Sequence, residues 1–198
     1  MVQRIIGGIF VGGASRRMGG RPKGLLPAPD GGEPLVLRAV RLVREVSAVP
    51  VLVGDAAAYR AALPELAGPL GVEELADDPP GIGPLGGLCA LLSRAAPGER
   101  VIAIACDMPY VGADDLRALI ADPSTADVCA ARRDDDAPWE PLLARYDAAR
   151  VLPVARAAIA AGERGLQRLF ARLHVSRFVP SSPRAMDDWD EPDDVKRA

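Results

Sequence analysis

The chain has 198 residues, with 24 Lys plus Arg against 27 Asp plus Glu and a net charge of −3. That length buries one sizeable core and predicts one domain over residues 1–198, and the charge balance gives no case for a nucleic-acid partner, which calls for a basic face or a high pI. The three cysteines lack Cys-x-x-Cys spacing and there is one histidine, His174; both facts argue against a zinc site, a disulfide framework or a histidine-based triad.

In chain order, Ile5 to Val11 is a short apolar run ending in Gly12-Gly13, predicted as a buried strand feeding a loop. Leu35, Ala39, Leu42, Val43 and Val46 recur at helical spacing on one face. Val49 to Val53 predicts a second strand, Ala56 to Leu63 a weak helix and residues 71–75 a short strand. The loop Asp77 to Gly87, "DDPPGIGPLGG", leads into a helix face formed by Leu85, Leu88, Cys89 and Leu92. Arg100 to Cys106 is apolar throughout after its first residue, as in a parallel-sheet strand covered on both faces. "ADDLRALI" follows as a helix with acidic residues at its start, where the helix dipole favours them.

Further strands are predicted at Ala126 to Ala131, across "PWEPLLARY" and at Val175 to Val179, with helices at Val151 to Ala161 and Leu166 to Leu173. The polar stretch Arg132 to Pro138 is expected to be a solvated loop or a segment that moves near a site. No run approaches the roughly 20 apolar residues of a membrane helix, and no signal peptide opens the chain; a soluble, cytoplasmic protein with no membrane partner is expected. The alternation of strand and helix predicts a doubly wound α/β domain: a mostly parallel central sheet with helices on both faces.

In such sheets ligands bind beyond the carboxyl ends of the strands. Three notable stretches fall there: the loop Gly12 to Gly24, the glycine–proline loop, and "CDMP" after the Arg100 to Cys106 strand. The first loop matches neither Gly-x-x-x-x-Gly-Lys-Ser/Thr nor Gly-x-Gly-x-x-Gly. Gly12 and Gly13 let backbone N–H groups approach a nucleotide, and Arg17 and Lys23 suit its phosphates; the alternative is a basic surface loop. Asp107 at a strand end suits Mg²⁺, which takes oxygen ligands, or else caps a turn beside Pro109. Asp77 and Asp78 fit turn chemistry, a nucleobase or ribose contact, or a further metal carboxylate. Trp139 in "PWEPLL" suits packing better than stacking on substrate.

These stretches together resemble a known family. "FVGGASRRMGGRPKGLL", "PPGIGPLGGL", "CDMPY", "WEPLLARY" and "DDWDEPDDV" are similar, in order, to the signatures of bacterial molybdenum cofactor guanylyltransferases. The match spans nearly the whole chain. Departures are Phe10-Val11 for Leu-Ala, Pro22 ahead of Lys23 where Asp is common, and Gly54 where asparagine is common.

The resemblance implies a Rossmann-like nucleotidyltransferase fold, Mg²⁺ as cofactor, GTP as donor and molybdenum-bearing molybdopterin as acceptor. It implies that Phe10, Val11, Gly12 and Gly13 line the nucleotide site, that Lys23 contacts phosphates, that Asp77 contacts the nucleotide and that Asp107 binds the metal. The expected reaction is attack by the acceptor's terminal phosphate at the α-phosphate, with Lys23 and Arg17 stabilising the departing pyrophosphate. Molybdoenzymes or their chaperones are expected downstream. The rival readings are a cytidylyltransferase on molybdopterin or another small phosphorylated acceptor, and a nucleotide-binding adaptor without turnover.

Overall fold

A computed structural model describes residues 4–12, 22–29 and 31–189. The alternating signals form β1 (Ile5–Phe10), α1 (Leu35–Glu45), β2 (Val49–Val53), α2 (Ala57–Ala62), β3 (Glu73–Leu75) and α3 (Pro84–Arg94). The second half continues with β4 (Arg100–Ala105), α4 (Ala113–Ala121), β5 (Val128–Arg132), β6 (Trp139–Asp147), α5 (Ala148–Ala160), α6 (Leu166–Phe170) and β7 (Val175–Phe178). One seven-stranded sheet results, in the order β3-β2-β1-β4-β6-β5-β7. All neighbouring pairs are parallel except those made by β6, which runs antiparallel between β4 and β5.

Strand side chains alternate between the two faces. Ile9, Leu52, Ile102 and Ile104 pack with α1 and α4 residues such as Val36, Val40, Val43, Leu116 and Leu119. Ile6, Val51, Val53, Val101 and Ala103 pack on the other face with Leu88, Leu91, Val151, Ala155 and Leu169. Both faces of the sheet are therefore covered, which explains the continuous apolar run through β4.

Two helices differ from the sequence pattern. α5 starts at Ala148, ahead of the expected Val151, because the Asp147 carboxylate accepts the Arg150 N–H at 3.2 Å and caps its start. α6 stops at Phe170 rather than Leu173; the Arg172 and Leu173 N–H groups bond to residues three back, at Leu169 and Phe170, in a tighter turn.

Beyond β7 the chain crosses the carboxyl edge of the sheet. Buried Asp115 holds it there, accepting the N–H of Gly112 at 2.9 Å and of Ser181 at 2.7 Å. Arg133 donates to the Met186 carbonyl and to the Asp187 carboxylate, each at 2.7 Å. Trp189 then buries its ring with Leu26, Ala28 and Leu35, and its N–H bonds the Asp107 carbonyl at 3.0 Å. No described helix is long and apolar enough to cross a membrane.

Candidate active site

The predicted site residues within the described chain converge on the carboxyl edge of β1, β2, β3 and β4. Pairing continues one step past the strands and aligns their exits. Val11 N–H bonds the Val53 carbonyl at 3.0 Å, Gly54 N–H the Leu75 carbonyl at 2.9 Å, and Cys106 N–H the Phe10 carbonyl at 3.1 Å. Gly12, Gly54 and Asp107 therefore leave the sheet side by side. Gly54 has a φ of +102°, and a Cβ there would stand 3.2 Å from the Gly12 nitrogen. Glycine at this position thus lets the first and second strand exits approach closely.

Lys23 and Asp107, 84 residues apart, meet directly: Nζ donates to Oδ2 at 2.9 Å. Both side chains are largely buried, at 18% and 19% exposure, so solvent screens this pair less than an ordinary surface pair. A short 3₁₀ turn over Lys23–Leu25 aims the lysine; the Leu25 and Leu26 N–H groups close it on the Pro22 and Lys23 carbonyls. Beneath the turn, Gly24 is buried against Tyr59 and Cys106. A Cβ on Gly24 would come within 2.7 Å of the Tyr59 ring and 3.1 Å of the thiol sulfur.

Asp77 sits beyond β3 against the first turn of α3. The Asp78 N–H bonds the Gly86 carbonyl at 3.2 Å, which folds the glycine–proline loop back onto the helix start. A Cβ on Gly87 would lie 3.0 Å from Asp77 Oδ1 and 3.1 Å from the Phe10 ring, so α3 touches two predicted nucleotide-site residues at one point. Partial burial raises the Asp77 carboxyl above its ordinary value. Phe10 and Val11 are buried and Gly12 is exposed, so the first two can offer the site only their backbone and packing surface. Gly13 and Arg17 lie outside the described residues.

The antiparallel β6 brings its first residues to this same edge. Trp139 packs 6.3 Å from Phe170, with the Arg132 guanidinium 4.7 Å over its ring. Glu140 is half-buried, and burial together with the Asp188 carboxylate raises its carboxyl, against the lowering effect of Arg133. The sequence gives no signal for the neighbourhood of Glu140 and Asp188, because it depends on β6 running antiparallel. Tyr59, in the helix with the weakest pattern, is equally hidden.

Asp107 can take a cation: it supplies a hard oxygen donor, and one of its oxygens already faces a positive charge. Among the described residues no group of three His, Cys, Asp or Glu could hold a metal alone. The Asp107 carboxylate is the kind of oxygen donor that Mg²⁺ uses, an ion that commonly binds through one or two carboxylates with substrate phosphates and water completing its shell. A separate cavity of about 370 Å³ opens at the opposite edge, around Arg100, Arg145 and Arg150. Those arginines bond the carbonyls of Ile120, Asp122, Ser124 and Thr125, so they brace the α4–β5 connection far from the aligned strand exits.

Comparison with known proteins identifies the family and the fold. The family model for the MobA-like NTP transferase domain matches residues 7–177. A molybdenum cofactor guanylyltransferase of Pseudomonas putida is 36% identical over 188 residues, covering 93% of this chain and 92% of that protein. A probable molybdenum cofactor guanylyltransferase of Opitutus terrae is 36% identical over 204 residues, covering 98% and 94%. The crystal structure of molybdopterin-guanine dinucleotide biosynthesis protein A from Archaeoglobus fulgidus superposes with a TM-score of 0.74 at 23% identity, covering 96% of this chain and 95% of that one. With the parallel strand exits and the glycine–proline loop in place, the chain belongs to the MobA-like NTP transferase family, as a nucleotidyltransferase of the molybdenum cofactor guanylyltransferase group.

Proposed function

We propose that the chain transfers GMP from GTP to molybdopterin carrying molybdenum, giving the guanine dinucleotide cofactor and pyrophosphate. The observation that carries this reading is the Lys23–Asp107 pair at the carboxyl edge, where the turn at Lys23 and the exit of β4 bring together a lysine and a carboxylate suited to neutralising charge at a triphosphate. A terminal phosphate oxygen of the acceptor bonds to the α-phosphorus of GTP. The α–β bridging bond breaks, and its electron pair leaves with pyrophosphate. The attacking phosphate is already ionised, so no general base is needed; this suits a site in which His174 lies far off, ahead of β7.

The work left to the protein is positioning and electrostatics. Lys23 meets the charge that builds on the leaving pyrophosphate, and Arg17 is assigned to the same charge. Phe10, Val11, Gly12 and Gly13 line the nucleotide, with Gly12 admitting it against backbone. Asp77, held at the start of α3, takes donors of the nucleotide's base or ribose. Nucleotidyltransferases generally use a divalent metal, and here Asp107 would hold Mg²⁺. Such an ion, when bound, supplies Lewis-acid neutralisation of phosphate charge. We place the activity in the cytoplasm, with molybdoenzymes or their chaperones receiving the product.

A thermal-shift panel of nucleotides with Mg²⁺ tests the donor, since a ligand that binds the folded state raises its apparent stability. A shift with GTP and none with CTP is the expected result. A shift with CTP alone identifies a cytidylyltransferase, and no shift with any nucleotide overturns the reading.

A further inference from the structure

We propose that the Tyr59 hydroxyl is a positioning group for nucleotidyl transfer, setting Lys23 against Asp107 through their chain neighbours; this rests on the reading of those two residues as the reacting pair. Tyr59 is the one buried residue of the six-residue α2, at 4% exposure. Its oxygen accepts the Gly24 N–H at 3.4 Å and lies 3.8 Å from the Cys106 sulfur. Gly24 follows Lys23 in sequence, and Cys106 precedes Asp107. One hydroxyl therefore touches the immediate neighbours of both members of a pair that itself closes at 2.9 Å.

Three features separate this arrangement from plain packing. First, a buried hydroxyl is costly unless bonded, so a core position that needed only bulk is served better by phenylalanine. Second, the contact is tight on every side. A Cβ on Gly24 would approach the Tyr59 ring at 2.7 Å, the Cys106 sulfur at 3.1 Å and Val36 at 3.2 Å, so the lysine turn rests directly on the phenol. Third, α2 is too short to be stable alone and is itself tied to β3. Ala56 N–H bonds Glu74 at 3.2 Å, and Arg60 bonds Glu74 at 2.8 Å and the Val72 carbonyl at 2.9 Å. The phenol thus stands on an element braced independently of the lysine loop, as a fixed reference for it.

Tyr59→Phe keeps the ring and removes only the bridge. Pyrophosphate release from GTP and molybdenum-bearing molybdopterin is measured at steady state over a range of GTP concentrations for wild type, Tyr59→Phe, Lys23→Ala and the double variant, with enough enzyme that slow rates remain countable. Tyr59→Phe is expected to lower kcat about 10-fold while KM for GTP stays within about twofold, well inside the losses that misplacement of reacting groups produces. In the Lys23→Ala background the same substitution is expected to cost much less, under about threefold, because one of the two groups it sets against each other is gone. A wild-type kcat for Tyr59→Phe, or the same fold loss in both backgrounds, overturns the proposal and leaves the transferase reading intact. A wild-type enzyme that releases no pyrophosphate overturns that reading, and the Tyr59 assignment falls with it.

Discussion

Gly87→Ala tests whether the start of α3 is a working wall of the nucleotide site. The added Cβ would stand 2.8 Å from a Val53 methyl, 3.0 Å from Asp77 Oδ1 and 3.1 Å from the Phe10 ring. All three neighbours must yield by several tenths of an ångström, and two of them are assigned to the nucleotide. Overpacking costs about 1–3 kcal/mol, and alanine's better helix propensity returns about 1 kcal/mol, so the net loss is about 0–2 kcal/mol. For a chain of this size that corresponds to a Tm drop of up to about 8 °C.

The larger signal is in binding. At GTP concentrations about 100 times Kd, a wild-type site gains about 2.7 kcal/mol of stability, whereas one bound tenfold more weakly gains about 1.4 kcal/mol. The GTP-induced shift should therefore fall by about half, while Gly165→Ala, whose Cβ meets nothing within 4 Å, keeps the full shift. Differential scanning fluorimetry with and without GTP reads both numbers. An unchanged GTP shift for Gly87→Ala refutes the claim that α3 and Asp77 bound the nucleotide.

Two predictions concern stability alone. Asp115→Ala removes a buried carboxylate that caps α4 and holds the Ser181 N–H; it should cost about 2–4 kcal/mol by calorimetry, and a loss under about 1 kcal/mol contradicts that role. Burial raises the thiols of Cys89, Cys106 and Cys129, with Cys106 pushed up to about 12. The unfolded chain releases these protons near pH 9 while the folded chain retains them, so their contribution is intact below pH 9 and is lost as pH rises above it. Denaturant midpoints measured between pH 7 and pH 10.5 should fall above pH 9, and a flat or rising profile contradicts the burial argument.

The position of much of the candidate site at the sheet edge was legible because it sits at chain exits that composition marks. An apolar strand running into Gly12-Gly13, and another running into Cys106-Asp107, announce two strand exits and their loops, though not that the strands are neighbours. The glycine–proline loop marked the start of α3 in the same way. The direction of β6 was not legible, since an apolar run carries no sign of strand polarity, and with it went the placing of Glu140 beside Asp188. The early start of α5 turned on one capping contact, Asp147 to Arg150, and α5 absorbs Pro153 within its length. Tyr59 was hidden for a different reason. Its importance lies in one hydroxyl, and α2 buries too few residues to leave a periodic trace.

In the proposed reaction Asp107 and Lys23 are the pair that neutralises charge at the triphosphate. Asp107→Ala tests that role most directly, through pyrophosphate release from GTP with molybdopterin and Mg²⁺, beside a melting curve that establishes folding. A folded variant with turnover reduced roughly 10²-fold or more is expected, the scale on which loss of one electrostatic stabiliser is felt. Turnover equal to wild type in the folded variant would contradict it.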